Sequence, residues 1–289
     1  MIPRRGLQEL QVRYQLEPSL KDVYVEGAYD QRVVAGVLRA AGITDVPVVC
    51  IEAIDVPDEI VAQHGYEIGN RGRVCTLGIE IAESPAGDTK QATCIADRDF
   101  ADFLGEASPK STVLFTDFTT MEMYFCDNRV IEQLLVATGR LQLGAQRTMG
   151  HIASALEPAF NAQVVARWLD WSGFSRLSIV KDCDIQFGEI DVDLPSYASR
   201  LLAKNQRTSE RNIFESSWAQ ATILIGGDIR LRSCGHQFVD LLAWYLRRHG
   251  VSGAIASEDH VGRLMLAAAQ WSEVAATPMF TQLVSRCQS

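Results

Sequence analysis

Within the first 120 residues, short apolar runs alternate with segments of helical periodicity, and this alternation limits what the chain can fold into more than any other feature. "DVYVEG" (22–27) is a β-branched and aromatic run stopped by glycine. "YDQRVVAGVLRAAG" (29–42) then spaces Val33, Val34, Val37 and Leu38 along one helical face before Gly42 ends it. A second strand is expected over "VPVVCIEAI" (46–54), a glycine-interrupted helix within 64–84, a third strand at "ATCIA" (92–96) and a fourth at "TVLFTDF" (112–118). Strands separated by helices predict an α/β fold: a largely parallel sheet flanked by helices, with functional residues at the carboxyl ends of strands.

After about residue 121 the pattern turns helical, as in "MEMYFCDNRVIEQLLVATG", "HIASALEPAFNAQVVARWLDW" and "HQFVDLLAWYLRRHG". Between them, "IQFGEIDVDLP" (185–195) alternates like a strand up to Pro195. The expected organisation is an α/β domain over 1–135 followed by a mainly helical region over 136–289. A chain of 289 residues, 47% of them hydrophobic, suits either one large domain or two modest ones.

Composition excludes several classes. A net charge of -9 argues against a generic duplex-DNA coat, which needs Lys and Arg to neutralise phosphates. The excess acid is confined to the first half: residues 1–145 hold 22 acidic and 13 basic side chains, residues 146–289 hold 14 of each. That pattern suits a solvated surface or carboxylates gathered to hold cations. The seven cysteines are scattered, with no C-x-x-C pair, and read as small buried hydrophobes in a reducing compartment. The N-terminal stretch carries arginines with no apolar segment behind them, and no apolar run approaches the roughly 18 residues of a membrane span. A cytoplasmic protein without a membrane segment is therefore expected. No P-loop, no G-x-G-x-x-G after a strand and no H-E-x-x-H is present, which speaks against an ATPase, a dinucleotide enzyme or a zinc hydrolase.

The acidic residues fall where strands end. Glu26 follows "VYV" and precedes Gly27, Asp30 lies four residues on in the first turn of the next helix, and Asp97 and Asp99 close the third strand in "CIADRDF". In a parallel sheet these ends converge on one rim. Asp97 and Asp99 are read as sharing one site just beyond the strand, where the backbone is turning. Carboxylates crowded at one rim repel unless a cation lies between them, and hard oxygen ligands select Mg²⁺, Mn²⁺ or Ca²⁺. Taken singly, each acid also suits a helix cap or a turn.

"VYVEGAYDQRVV" followed by "CIADRDFADF" resembles the Toprim domain of topoisomerases, DnaG-type primases and OLD-family nucleases, with a glutamate after the first strand and a D-x-D after a later one. The chain also resembles stand-alone bacterial Toprim-like proteins, a family that includes the Toprim effector subunits of PARIS anti-phage systems. Their "FVEGxxD", "DRDF", "TDxxxxE" and "GHD" segments correspond here to Glu26–Asp30, Asp97–Phe100, Thr116–Asp117–Glu122 and Gly235–His236, with Gln237 where an acid is expected. The resemblance implies a Mg²⁺- or Mn²⁺-dependent endonuclease acting on nucleic acid, RNA and possibly tRNA rather than DNA. It also implies control by an ABC-type ATPase partner and activity as a homodimer. In that reading Asp97 and Asp99 ligate metal, and Glu26 is a ligand or the base that orients water. Asp30 is a further ligand, while Glu122 either completes the shell or is a helix N-terminal acid. Candidate basic patches for substrate are "NRGR" (70–73), "KNQRTSER" (204–211), "RLR" (230–232) and "RRH" (247–249). The competing class is a non-catalytic Toprim-like binding or regulatory subunit. A topoisomerase or primase module fits less well, because a catalytic-tyrosine domain or zinc ribbon is not evident.

Overall fold

In the computed structural model, which describes residues 4–84, 91–105, 112–171, 173–224 and 227–288, a parallel sheet centres the first of two units. That unit takes in residues 1–101, 105–117 and 270–289; the second takes in 102–104 and 118–269. The mixed α/β class is as expected, with a helical region following the sheet. The units divide near Asp117 and again near Ala269, and the residues after Ala269 pack with the α/β portion.

The first unit begins with β1 (Arg5–Gly6) and α1 (Leu7–Leu16), followed by β2 (Asp22–Val25), α2 (Ala28–Ala40), β3 (Val48–Cys50) and β4 (Ile54–Asp55). It continues through α3 (Asp58–Gln63), α4 (Asn70–Glu83), β5 (Ala92–Ala96), the short α5 (Ala101–Leu104) at its border and β6 (Val113–Phe115). Four strands pair in parallel in the order β3-β2-β5-β6, with Val25 level with both Cys50 and Ile95. The chain therefore steps from β2 to one side, then returns to place β5 on the other. That reversal makes a topological switch point between β2 and β5, where the crevice at the strands' carboxyl ends opens.

Strand alternation builds the core. Tyr24, Ala92, Cys94, Ala96 and Val113 share a buried cluster with Leu10 and Tyr14 of α1, Val61 of α3 and Val74, Cys75, Leu77 and Ile81 of α4. Gly78 of α4 is where that helix crosses closest: a Cβ there would press on Val113 and Cys94. The expected strand over 46–54 is cut short by a 3₁₀ turn at Ile51–Ala53, and β4 pairs with β1 instead. Residues three apart point to opposite faces of a strand but to one side of a 3₁₀ turn, so the break lets Ile51 and Ile54 enter the same core.

The C-terminal helices α12 (Trp271–Ala275) and α13 (Pro278–Gln288) belong to this unit. Trp271 lies over Gly36 of α2, where any Cβ would collide with its ring.

The second unit is helical, comprising α6 (Asn128–Ala137), α7 (Ala145–Trp168), α8 (Leu194–Lys204), α9 (Arg211–Leu224), α10 (Gly235–Arg248) and α11 (Glu258–Ala268). Its antiparallel hairpin, β7 (Cys183–Gln186) and β8 (Glu189–Val192), occupies the stretch read as one strand. The alternation runs through both arms, and Phe187 and Gly188 form the turn between them with positive φ at each. Pro195 is the second residue of α8, within the first turn where its missing N–H is no loss.

Candidate active site

Strand β2 ends at Val25 and β5 at Ala96, so Glu26 and Asp97 leave adjacent strands side by side at the switch point. The Asp97 backbone N–H donates to Glu26 Oε1 at 2.8 Å. The backbone then turns: Asp97 and Arg98 lie outside the strand, and Asp99 adopts φ 47°, a left-handed conformation that aspartate tolerates better than most residues. This is the turn expected after the third strand. Arg98 anchors it to the end of β6, its N–H donating to Thr116 Oγ1 and its Nε to the Thr116 carbonyl, both at 2.9 Å.

Electrostatics tie Glu26 to two more of the expected residues. Burial, then the charge of Asp99, push the Glu26 carboxyl up to about 8, with Asp30 adding to the shift and the Asp97 N–H and Arg71 opposing it. Asp30 itself reaches back to accept from the Gly27 N–H at 3.0 Å, the capping arrangement expected of an acid at the third position of a helix. Asp99 lies 3.9 Å from the Arg71 guanidinium. Glu26, Asp30, Asp97 and Asp99 are thus gathered in one neighbourhood. Among the described residues, no group of three or more His, Cys, Asp or Glu side chains is arranged to hold a metal ion.

Three further residues brace this loop in roles that the sequence did not assign to them. Arg71, from the first turn of α4, donates from Nε to the Asp97 carbonyl at 2.9 Å and lies 5.3 Å above the Phe115 ring. Asn70 donates to the Glu26 carbonyl at 2.9 Å and to Glu52 Oε1 at 3.2 Å. Thr116 holds Arg98. The only signal was "NRGR", read as a basic patch for substrate; in the fold, Asn70 and Arg71 brace the acidic loop, and Arg73 pairs with Asp58 at 2.8 Å.

The "TDxxxxE" and "GHQ" segments have other settings. Asp117 accepts from the Met279 N–H at 3.1 and 3.2 Å, capping α13 from far away in sequence. Glu122 is buried in the second unit, its Oε1 2.9 Å from Nδ1 of His236, whose side chain is 75% exposed. Burial would raise the Glu122 carboxyl, but the hydrogen bond and charge of His236 outweigh it, with Thr120 adding to the lowering. Gly235 is obligatory beside this pair, since a Cβ would collide with Thr120 Oγ1 and Glu122 Oε2. Gln237 is buried: its Oε1 accepts from Gln163 Nε2 and its Nε2 donates to the Leu177 carbonyl, both at 2.9 Å. A buried amide that both donates and accepts explains in packing terms why no acid stands there.

No disulfide joins the seven cysteines, of which five are buried and Cys50 and Cys287 half-buried, and no helix among the described residues is long and apolar enough to cross a membrane. No family model and no curated protein sequence matches the chain.

Proposed function

We propose that this chain is a Toprim-like, metal-dependent endonuclease that hydrolyses phosphodiester bonds in nucleic acid, RNA in preference to DNA. The observation that carries the reading is the meeting of Glu26 and Asp97, with Asp99 and Asp30 close by, at the carboxyl-end switch point of a parallel sheet. The oxygen-only donor set suits Mg²⁺ or Mn²⁺, since Mg²⁺ is commonly held by one or two carboxylates, with water and substrate phosphate filling the remaining positions. Glu26, Asp97 and Asp99 are the residues that would hold it if their side chains turned toward a common point, since among the described residues no three such groups are so arranged. When bound, the ion would acidify water and neutralise charge on the phosphoryl oxygens.

The chain's own groups supply the rest. Glu26, lifted to about 8 by burial and by Asp99 when no cation is bound, would ionise as a cation binds, and as a carboxylate it can orient an attacking water and take its proton. Arg71 and Asn70 fix the carbonyls of Asp97 and Glu26, so the two strand ends keep their spacing. Arg98 keeps the D-x-D loop on β6. In this proposal the protein acts in the cytoplasm as a homodimer in anti-phage defence, restrained by an ABC-type ATPase until triggered. These features rest on the sequence resemblance.

A second reading, a binding or regulatory subunit without activity, draws on one observation. The candidate ligands are already engaged by protein groups, Glu26 by the Asp97 amide and Asp30 by that of Gly27.

Purified protein incubated with RNA and DNA in Mg²⁺ or Mn²⁺, alone and with its co-expressed ATPase neighbour, separates the two. The nuclease reading expects cleavage that falls at least roughly 100-fold in Glu26→Ala and Asp97→Ala. Equal cleavage by all three proteins, or none under either condition, would reject it.

A further inference from the structure

The β7–β8 hairpin carries two local penalties that folding does not explain. Its turn, Phe187-Gly188, has φ of 53° and 86°. Positive φ at both positions of a two-residue hairpin turn favours Asn-Gly or Asp-Gly. Phenylalanine is disfavoured in that conformation because its Cβ crowds the following carbonyl oxygen. Phe187 gains no burial in exchange: it is 104% exposed, more than any other large hydrophobic side chain described.

The second penalty is electrostatic. The register sets Asp184 directly opposite Asp191, and like charges so placed destabilise a strand pair. Both are exposed, as is Glu189 beside the turn. Gln186 Nε2 donates to Asp191 Oδ2 at 2.8 Å, and Arg248 reaches Asp184 at 3.7 Å, so the pair is partly offset. The other side of the hairpin is ordinary: Cys183 is buried, Ile185, Ile190 and Val192 are half-buried, and β8 packs on α7. The scaffold is anchored, and the tip is costly.

We propose that this hairpin is a docking element for a protein partner whose surface presents an apolar pocket ringed by Lys and Arg. Phe187 would fill the pocket, and Asp184, Glu189 and Asp191 would face the basic ring. An aromatic anchor surrounded by charges that steer encounter is the arrangement that gives an interface both affinity and specificity. Charge selects this occupant. Phosphate backbones and anionic lipid headgroups are repelled by three carboxylates, and a second copy of this chain, at net -9, brings more of the same sign. The inference does not depend on the nuclease reading, since the hairpin's features are its own.

The test places a benzophenone amino acid at position 187 of the full chain in host cells, maps the cross-linked peptide, and then measures binding of the purified partner so found. The expected result is one protein cross-linked through a Lys- or Arg-rich surface, with affinity that drops about 30-fold in Phe187→Asn and weakens with salt. Asp184→Asn with Asp191→Asn should weaken binding in the same direction. Because asparagine suits positive φ, Phe187→Asn should also raise the melting temperature, which separates loss of docking from loss of fold. Cross-linking to lipid, nucleic acid or a second copy, no cross-link at all, or binding unchanged by both variants would overturn the proposal.

Discussion

Glu26 Oε1 and the Asp97 backbone N–H lie 2.8 Å apart, a single hydrogen bond that joins positions 71 residues apart and locks the ends of two neighbouring parallel strands. Asp99 and Asp30 then crowd the same carboxyl with negative charge, and this crowding can be measured.

Glu26, pushed up by burial and by Asp99 from 4.5 to about 8, binds its proton more tightly folded than unfolded. Its contribution to stability is therefore full below about pH 4.5 and is lost as pH rises through about 8. Glu26→Gln keeps the acceptor for the Asp97 amide but cannot ionise. Its melting temperature should match wild type near pH 4.5 and exceed it by a few degrees at about pH 9. Added Mg²⁺ should raise the wild-type melting temperature at the higher pH and leave Glu26→Gln unmoved. Parallel pH profiles for the two proteins would show that the carboxyl is not crowded.

The buried Glu122 carboxylate leans on an exposed imidazole, an unequal pairing in which the hidden partner has more to lose. His236→Ala should cost about 1–3 kcal/mol near pH 6 by denaturant titration, because it strips a buried charge of its main partner. Glu122 is held below its ordinary 4.5, so the stability it contributes is present above that value and fades as pH falls past it; the gap between variant and wild type should narrow in acid. Gly235→Ala should be destabilising by a similar amount through collision with Thr120 and Glu122. A fully stable Gly235→Ala protein would contradict the close packing at this position.

Asp117 stands in a segment that resembles a site motif, yet its carboxylate caps α13. Asp117→Ala should destabilise the fold by about 1 kcal/mol and speed amide hydrogen exchange at Met279 and the residues that follow, ahead of the sheet. Unchanged exchange in α13 would remove the capping role.

The α/β class and the rim location of Glu26, Asp97 and Asp99 were legible because strand–helix alternation is a local signal and a parallel sheet brings strand ends together. That the strand ends before Asp97 was legible too, but the positive φ at Asp99 was not, since nothing in "DRD" fixes that conformation. The bracing by Asn70 and Arg71 was not: a backbone carbonyl on a distant loop leaves no mark on the sequence that contacts it, and "NRGR" reads equally as a solvated basic patch. The hairpin at 183–192 hid for a related reason. "FG" is not the usual turn pair, so period-two alternation ran through it unbroken. The membership of α12 and α13 in the first unit depended on Gly36 leaving room for Trp271, a fit between residues at opposite ends of the chain.

That fit has a consequence for biosynthesis. Translation proceeds from the amino end, so the sheet and its acidic rim leave the ribosome while the helices that cover Gly36 and take up the Asp117 carboxylate are still unmade. Until residues 270–288 emerge, α2 carries a bare notch beside Gly36, so this unit cannot close its own core before the intervening residues 118–269 have been made.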